Sequence, residues 1–259
     1  MRDSEIAFMS KETSTDVGYN GLMTLPKNLK TFGSNHSPDR FGDHLRKLAN
    51  PIWEAQLNHP FIKGVGDGTL EVEKLKYWVR QDYLYLMDYA RIFSMAAARA
   101  PDLGTMTWLS GLVKGVLKVE MELHRSYARD FGITGEELEG ETKAPTCQAY
   151  TDFLLRVAAV DPFEVTIAAL LPCLWGYYEL GTRMEDRGLP DKELYARWIK
   201  QYTDPEYGQQ VERCRQLTDR LGNEASSPRK REMEKAFLLS SRYEYLFWDM
   251  CYNLETWPV

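Results

Sequence analysis

The chain has little histidine, no paired cysteines, no basic excess and no long apolar run. Its 259 residues include four histidines (His36, His44, His59, His124) and four widely spaced cysteines (Cys147, Cys173, Cys214, Cys251). Without a CxxC pair, in a chain of this length, these cysteines read as free thiols and not as a disulfide frame. Acidic residues outnumber basic ones, 38 to 32, for a net charge of −6. That balance argues against nucleic acid as the main partner, because phosphate binding wants a basic stripe. No apolar run reaches the roughly 18 residues that would span a bilayer. The N-terminus lacks the basic, apolar, small-residue order of a signal peptide. No membrane association and a cytoplasmic location are therefore expected. Neither GxGxxG nor GxxxxGK[ST] is present, nor a Ser-His-Asp order; Gly64-x-Gly66-x-Gly68 follows no strand and reads as turn chemistry.

What the chain does have is apolar mass and aromatic rings. It is 44% hydrophobic, with 15 Tyr, 7 Trp and 10 Phe. A buried tyrosine brings an apolar body and a hydroxyl that needs a partner. Tyrosines repeated along helix faces point to a greasy pocket dotted with donors. Residues 1–38 are polar and irregular and read as an arm outside the main domain. From residue 39 to the end the period is helical. Ser37-Pro38 suits the start of a first helix, running toward Asn58 with a kink or break at Pro51. A turn at His59-Pro60 and a glycine loop over 64–68 come next. Thr69 opens a long helix whose stripe runs Leu75, Trp78, Val79, Tyr85, Leu86, Tyr89, Ile92, Phe93, Ala96. A helix over about 102–131 places Leu109, Val113, Val116, Leu117, Glu120, His124 and Tyr127 on one side. Further helices are expected near 146–159, from Pro162 to Arg187, through Trp198 to Tyr202, from Pro205 to Leu221, and from Pro228 to about Leu254. No strand or repeat is evident. The expected architecture is all-α, a single helical bundle over 39–259.

Some polar groups sit where hydrophobes belong. In Leu171-Pro172-Cys173-Leu174 a proline interrupts a long apolar helix just before a thiol, and Cys173 and Tyr177 share one helix face. Packing alone can account for a buried free cysteine; a chemical role depends on its surroundings. Asp82, Glu120 and Glu244 fall on apolar stripes, and charges are rarely buried unless paired or used. Glu120 and His124, four apart, can pair along their helix or share a metal. A carboxylate-bridged di-iron bundle draws such motifs from two helices, and no second one exists here, so a hydrogen-bonded pair is expected and no metal. For Asp82 a helix-to-helix hydrogen bond is the plain alternative, and for Glu244 a salt bridge with an arginine. The chemical alternative is that Asp82, Cys173 and Glu244 converge as anchor, nucleophile and acid.

Five stretches, in order, resemble the TenA family of thiaminase II, or aminopyrimidine aminohydrolase, enzymes. They are His59-Pro60-Phe61 with Gly64 to Leu70, Gln81-Asp82-Tyr83-Leu84-Tyr85-Leu86, Glu120 to His124, Leu170 to Trp175 with Tyr177-Tyr178-Glu179, and Tyr243-Glu244-Tyr245 with Phe247-Trp248. The resemblance covers about residue 39 to the C-terminus. It implies a haem-oxygenase-like bundle, a homotetramer, and no metal or organic cofactor. It implies hydrolysis at the aminomethyl carbon of a 4-amino-2-methylpyrimidine, in thiamin salvage, with that pyrimidine amine or thiamin as substrate. By motif, Cys173 matches the nucleophile, Glu244 the proton donor and Tyr85 the tyrosine that sharpens the cysteine. Asp82, Tyr177 and Tyr202 match substrate-binding residues, and Tyr150 and Phe247 wall residues. Thr203-Asp204-Pro205 departs from the family's usual glycine pattern, and the N-terminal arm has no counterpart in typical members. Two other readings remain: a pocket that binds the pyrimidine or thiamin without turnover, as a regulatory protein would, and a metal oxidase or quinone-forming enzyme. Histidine poverty disfavours the last.

Overall fold

The structure, a computed structural model, describes residues 40–259. The expected arm over 1–38 and the Ser37-Pro38 helix start lie outside the described residues. No strand occurs among the described residues, and the expected all-α architecture holds. The first expected helix is two, α1 (Phe41–Leu48) and α2 (Asn50–Asn58), hinged at Ala49. Pro51 sits in the first turn of α2, where its missing N–H costs nothing, so the break precedes the proline.

The glycine stretch departs from expectation. Pro60–Gly66 is a helix, α3, and not a turn and loop. His59 caps it: the ring Nδ1 accepts from the Phe61 N–H at 3.1 Å. The glycines serve close packing. A Cβ on Gly64 would stand 3.0 Å from the Leu70 backbone, and one on Gly66 3.2 Å from Met184. Only Gly68, at φ +74°, makes a turn that favours glycine. The long helix α4 (Val72–Ala98) starts three residues after Thr69 and buries the expected stripe, Asp82 included.

The expected 102–131 helix is divided into α5 (Leu103–Gly115), a π-helical turn (Val116–Glu120) and α6 (Met121–Asp130). A π turn holds more residues than an α turn and so rotates the helix beyond it. Leu117, expected inward, is consequently 46% exposed, whereas His124 is fully buried. Gly132, at φ +71°, ends the segment as expected. The acidic loop beyond it contains a one-turn helix, α7 (Gly135–Glu139), closed by a reciprocal Thr134–Glu137 capping box.

The remaining helices are α8 (Pro145–Val160), α9 (Phe163–Glu185), α10 (Glu193–Tyr202), α11 (Pro205–Glu224) and α12 (Ser227–Asn253). Helix α9 is the hub, packed against α8, α10, α11 and α12, and α4 packs on α5, α6 and α8. An apolar α9 surrounded by other helices suits its sequence, which is hydrophobic nearly all round. It continues through Pro172 as one helix. Two tyrosine hydroxyls bond carbonyls near that proline: Tyr89 of α4 to Leu170 (3.3 Å) and Tyr207 of α11 to Leu174 (3.0 Å).

Candidate active site

Helices α4, α8, α9, α10 and α12 send polar side chains into the region around Cys173. From α4 come Asp82, Tyr85 and Tyr89, spaced three and four apart on one face. Helix α9 supplies Cys173 and Tyr177, α12 Ser240, Glu244 and Phe247, α8 Tyr150 and α10 Tyr202. Cys173 is 9% exposed, Asp82 5% and Glu244 3%, so all three are buried.

Glu244 is the most tightly held. The Tyr150 hydroxyl donates to its Oε1 at 2.5 Å and lies 2.9 Å from the Ser240 hydroxyl. The arginine salt bridge expected for Glu244 is replaced by this phenol and by the Cys173 thiol. Burial pushes the Glu244 carboxyl up to about 8; the nearby Asp82 charge adds to that, while the Tyr150 and Cys173 hydrogen bonds oppose it. At neutral pH the group carries a proton that it can give away. Tyr150, expected as a wall residue, therefore also orients the acid.

Burial also drives the Cys173 thiol well above its ordinary value, the Glu244 and Asp82 charges add to this, and the neighbouring Tyr85 and Tyr89 hydroxyls oppose it. Cys173 at rest is a neutral thiol whose proton has a neighbouring acceptor whenever Glu244 is ionised.

Asp82 makes a helix-to-helix contact, its plain alternative from the sequence. Its Oδ2 lies 2.6 Å from Nε2 of His124 on α6. The expected pairing of His124 with the Glu120 carboxyl does not form; His124 Nδ1 instead meets the Glu120 main-chain carbonyl at 2.8 Å. The π turn that ends at Glu120 sets this geometry. Glu120 itself is half-buried. The surrounding protein pushes its carboxyl up to about 7, helped by the Asp82 charge and opposed by His124.

Aromatic rings enclose these groups. Tyr85 packs on Tyr89 (5.2 Å between centroids), Tyr150 (5.2 Å) and Phe247 (5.8 Å, edge-on). Tyr177 packs on Tyr202 (4.6 Å) and Trp248 (5.0 Å), and Phe247 joins Trp248 (6.4 Å). Burial raises the Tyr177 and Tyr202 phenols well above their ordinary value, and Asp82 is the next cause for each. The eight residues singled out from the sequence thus occupy one region. Tyr89 and His124 belong to it too; the sequence put Tyr89 on the apolar stripe and paired His124 with Glu120, and gave neither a place in the site. Tyr89 was detectable as the next residue along the Asp82–Tyr85 face, whereas nothing in the sequence tied His124 to Asp82. Among the described residues, no group of three or more His, Cys, Asp or Glu side chains is placed to hold a metal ion.

Comparison with known proteins gives the family. The TENA/THI-4/PQQC family model matches residues 46–254. The chain belongs to that family. TENA/THI-4/PQQC relatives include the aminopyrimidine aminohydrolase of Halalkalibacterium halodurans, 44% identical over 84% of this chain and 97% of its own length. That of Bacillus subtilis is 37% identical over 84% of this chain and 92% of its own. Among solved structures, the TenA homologue protein from P. horikoshii OT3 superposes with a TM-score of 0.77 at 29% identity, covering 83% of this chain and 99% of its own. A structure titled a TenA family transcription regulator, from Silicibacter sp. TM1040, matches with a TM-score of 0.77 at 28% identity, over 82% and 96% of the two chains. A Shewanella denitrificans domain with a haem-oxygenase-like fold, 14% identical at a TM-score of 0.65, bears on the fold alone.

Proposed function

We infer that the protein is an aminopyrimidine aminohydrolase of thiamin salvage. It converts 4-amino-5-aminomethyl-2-methylpyrimidine, and thiamin, to the 5-hydroxymethyl pyrimidine. The observation that carries the reading is the contact of a buried thiol, Cys173, with a carboxyl that keeps its proton to about pH 8, inside a tyrosine-rich enclosure. Relatives at 32–44% identity that bear this enzyme's name support it.

The chemistry follows from electron demand. A pyrimidine is electron-poor and accepts sulfur once a ring nitrogen is protonated. Glu244 supplies that proton, and the carboxylate it becomes takes the proton from the Cys173 thiol. The sulfur bonds to a ring carbon, and the ring electrons expel the exocyclic amine, which leaves as ammonia after gaining a proton. Glu244 gives the leaving amine its proton and takes one from the water that adds to the exposed methylene carbon; as the carbon–sulfur bond breaks the ring nitrogen gives up its proton to the sulfur, and thiol and carboxylic acid are both restored. Asp82 accepts hydrogen bonds from the 4-amino group and holds the ring in register. Tyr85 donates toward the sulfur, Tyr177 and Tyr202 bind the ring's polar edge, and Tyr150 and Phe247 wall the pocket.

A non-catalytic pyrimidine- or thiamin-binding protein is the competing reading, and the neighbour titled a transcription regulator keeps it in view. Single-turnover incubation of purified protein with the aminomethyl pyrimidine separates the two. The enzyme reading predicts stoichiometric hydroxymethyl pyrimidine and ammonia; tight binding without product contradicts it. We also propose a cytoplasmic homotetramer that takes small molecules and neither nucleic acid nor membrane as partner. Exposed Leu103, Met106 and Leu117 on and beside α5 offer an apolar face for assembly. No helix among the described residues is long and apolar enough to cross a membrane.

A further inference from the structure

His124 is fully buried, yet the reaction as written gives it nothing to do. Its Nδ1 lies 2.8 Å from the Glu120 carbonyl oxygen, which can only accept, so Nδ1 carries a proton. Its Nε2 lies 2.6 Å from Asp82 Oδ2, within ion-pair reach though outside hydrogen-bond alignment. The Trp78 ring flanks the imidazole at 5.1 Å between centroids, limiting its rotation.

We propose that His124 is a positioning residue for Asp82: an imidazolium, protonated on both nitrogens, that ties up Oδ2 and leaves Oδ1 as a fixed, charged acceptor selective for a ligand's ring amine. The proposal rests on Asp82 being the amine-binding group of the hydrolase reading. A protonated Asp82 would offer one donor and one weaker acceptor; an unpaired one would be free to rotate. The imidazolium removes both alternatives. It also explains how Asp82 and Glu244, two buried carboxyls in one enclosure, serve opposite ends of the reaction. The proposed cation faces Asp82, whereas Glu244 faces the Tyr150 hydroxyl.

Other titratable groups surround the pair. Asp82 is approached by Glu120 from the π turn, Cys147 from α8, Cys173 and Tyr177 from α9, Tyr202 from α10, and Glu244 and Cys251 from α12. On α6 itself, Arg125 and Arg129 are engaged by Glu122, and from α7 Glu139 meets Tyr83. His124 is the basic group in direct contact with Asp82. Burial opposes its charge, but the Asp82 contact outweighs that and raises the imidazole above its ordinary value.

The test uses the full chain. Histidine-selective ¹⁵N NMR should show both His124 nitrogens still protonated above the ordinary histidine midpoint, with the signal assigned by its loss in His124→Gln. In Asp82→Asn the same ring should revert to the neutral form. In calorimetry, His124→Gln should weaken 4-amino-2,5-dimethylpyrimidine at least about tenfold while leaving 2,5-dimethylpyrimidine, which lacks the amine, unchanged. A neutral His124 in the unaltered chain, or equal weakening of both ligands, overturns the proposal. The NMR arm needs no folded variant beyond assignment. Neither arm needs turnover: absence of product from the unaltered chain, with the amine discrimination intact, would sink the hydrolase reading and leave this one standing.

Discussion

Glu244, the proposed proton donor, sets stability against chemistry. Its carboxyl moves from 4.5 to about 8 on folding, so between those values the folded chain holds a proton that the unfolded chain has released. Stability then falls as pH rises through that window and levels off above it. Glu244→Gln keeps the shape and the acceptor for the Tyr150 hydroxyl but has no proton to lose. Its melting temperature is predicted to match the unaltered chain near pH 4.5 and to exceed it by several degrees above about 8. A melting series across pH checks this. The same substitution should lower kcat by roughly 10²–10⁴. In the unaltered enzyme kcat/KM should fall as pH rises through about 8, because the acid is then spent. A flat profile across that range would show that Glu244 is not the proton donor.

At the scale of elements, packing is set by small residues at crossings. Where α1 meets α11, a Cβ on Gly222 would lie 2.2 Å from Phe41 Cδ1 and 2.8 Å from Phe41 Cβ. Gly222→Ala must displace α1, at about 1–3 kcal/mol, or several degrees of melting temperature. Thermal melting should show that loss while kcat, which depends on other helices, stays within about twofold. The helices themselves were largely legible in the sequence, because apolar periodicity and proline or glycine punctuation are local signals: α4, α9 and α12 lie close to where the pattern puts them. Two elements were not. Helix α3 was hidden because Gly64 and Gly66 read as turn residues, when a close crossing by Leu70 and Met184 is what requires them. The π turn was hidden because one extra residue in a helix leaves no compositional mark, yet it sends Leu117 outward and places His124 against Asp82.

For the whole molecule, the site is a product of assembly between distant helices. Sequence spacing could group Asp82 with Tyr85, or Cys173 with Tyr177, since each pair shares a helix. It could not say that Tyr150 from α8 would reach Glu244 on α12, ninety-four residues away. Family resemblance supplied the roles, and packing around α9 supplies the contact between them. The family match begins at residue 46, and the site draws on α4 and later helices. Removing residues 1–38 is accordingly predicted to leave kcat/KM within about twofold, measured by product chromatography. The proposed tetramer predicts a mass near four chains in light scattering, and a monomer would contradict it.

The central claim is that the Cys173 sulfur attacks the ring. Its most direct test is the rate at which Cys173→Ala releases hydroxymethyl pyrimidine from the aminomethyl pyrimidine, alongside its melting temperature. The account predicts a loss of at least about a thousandfold with the fold retained. Release at the unaltered rate from a folded Cys173→Ala protein would contradict it.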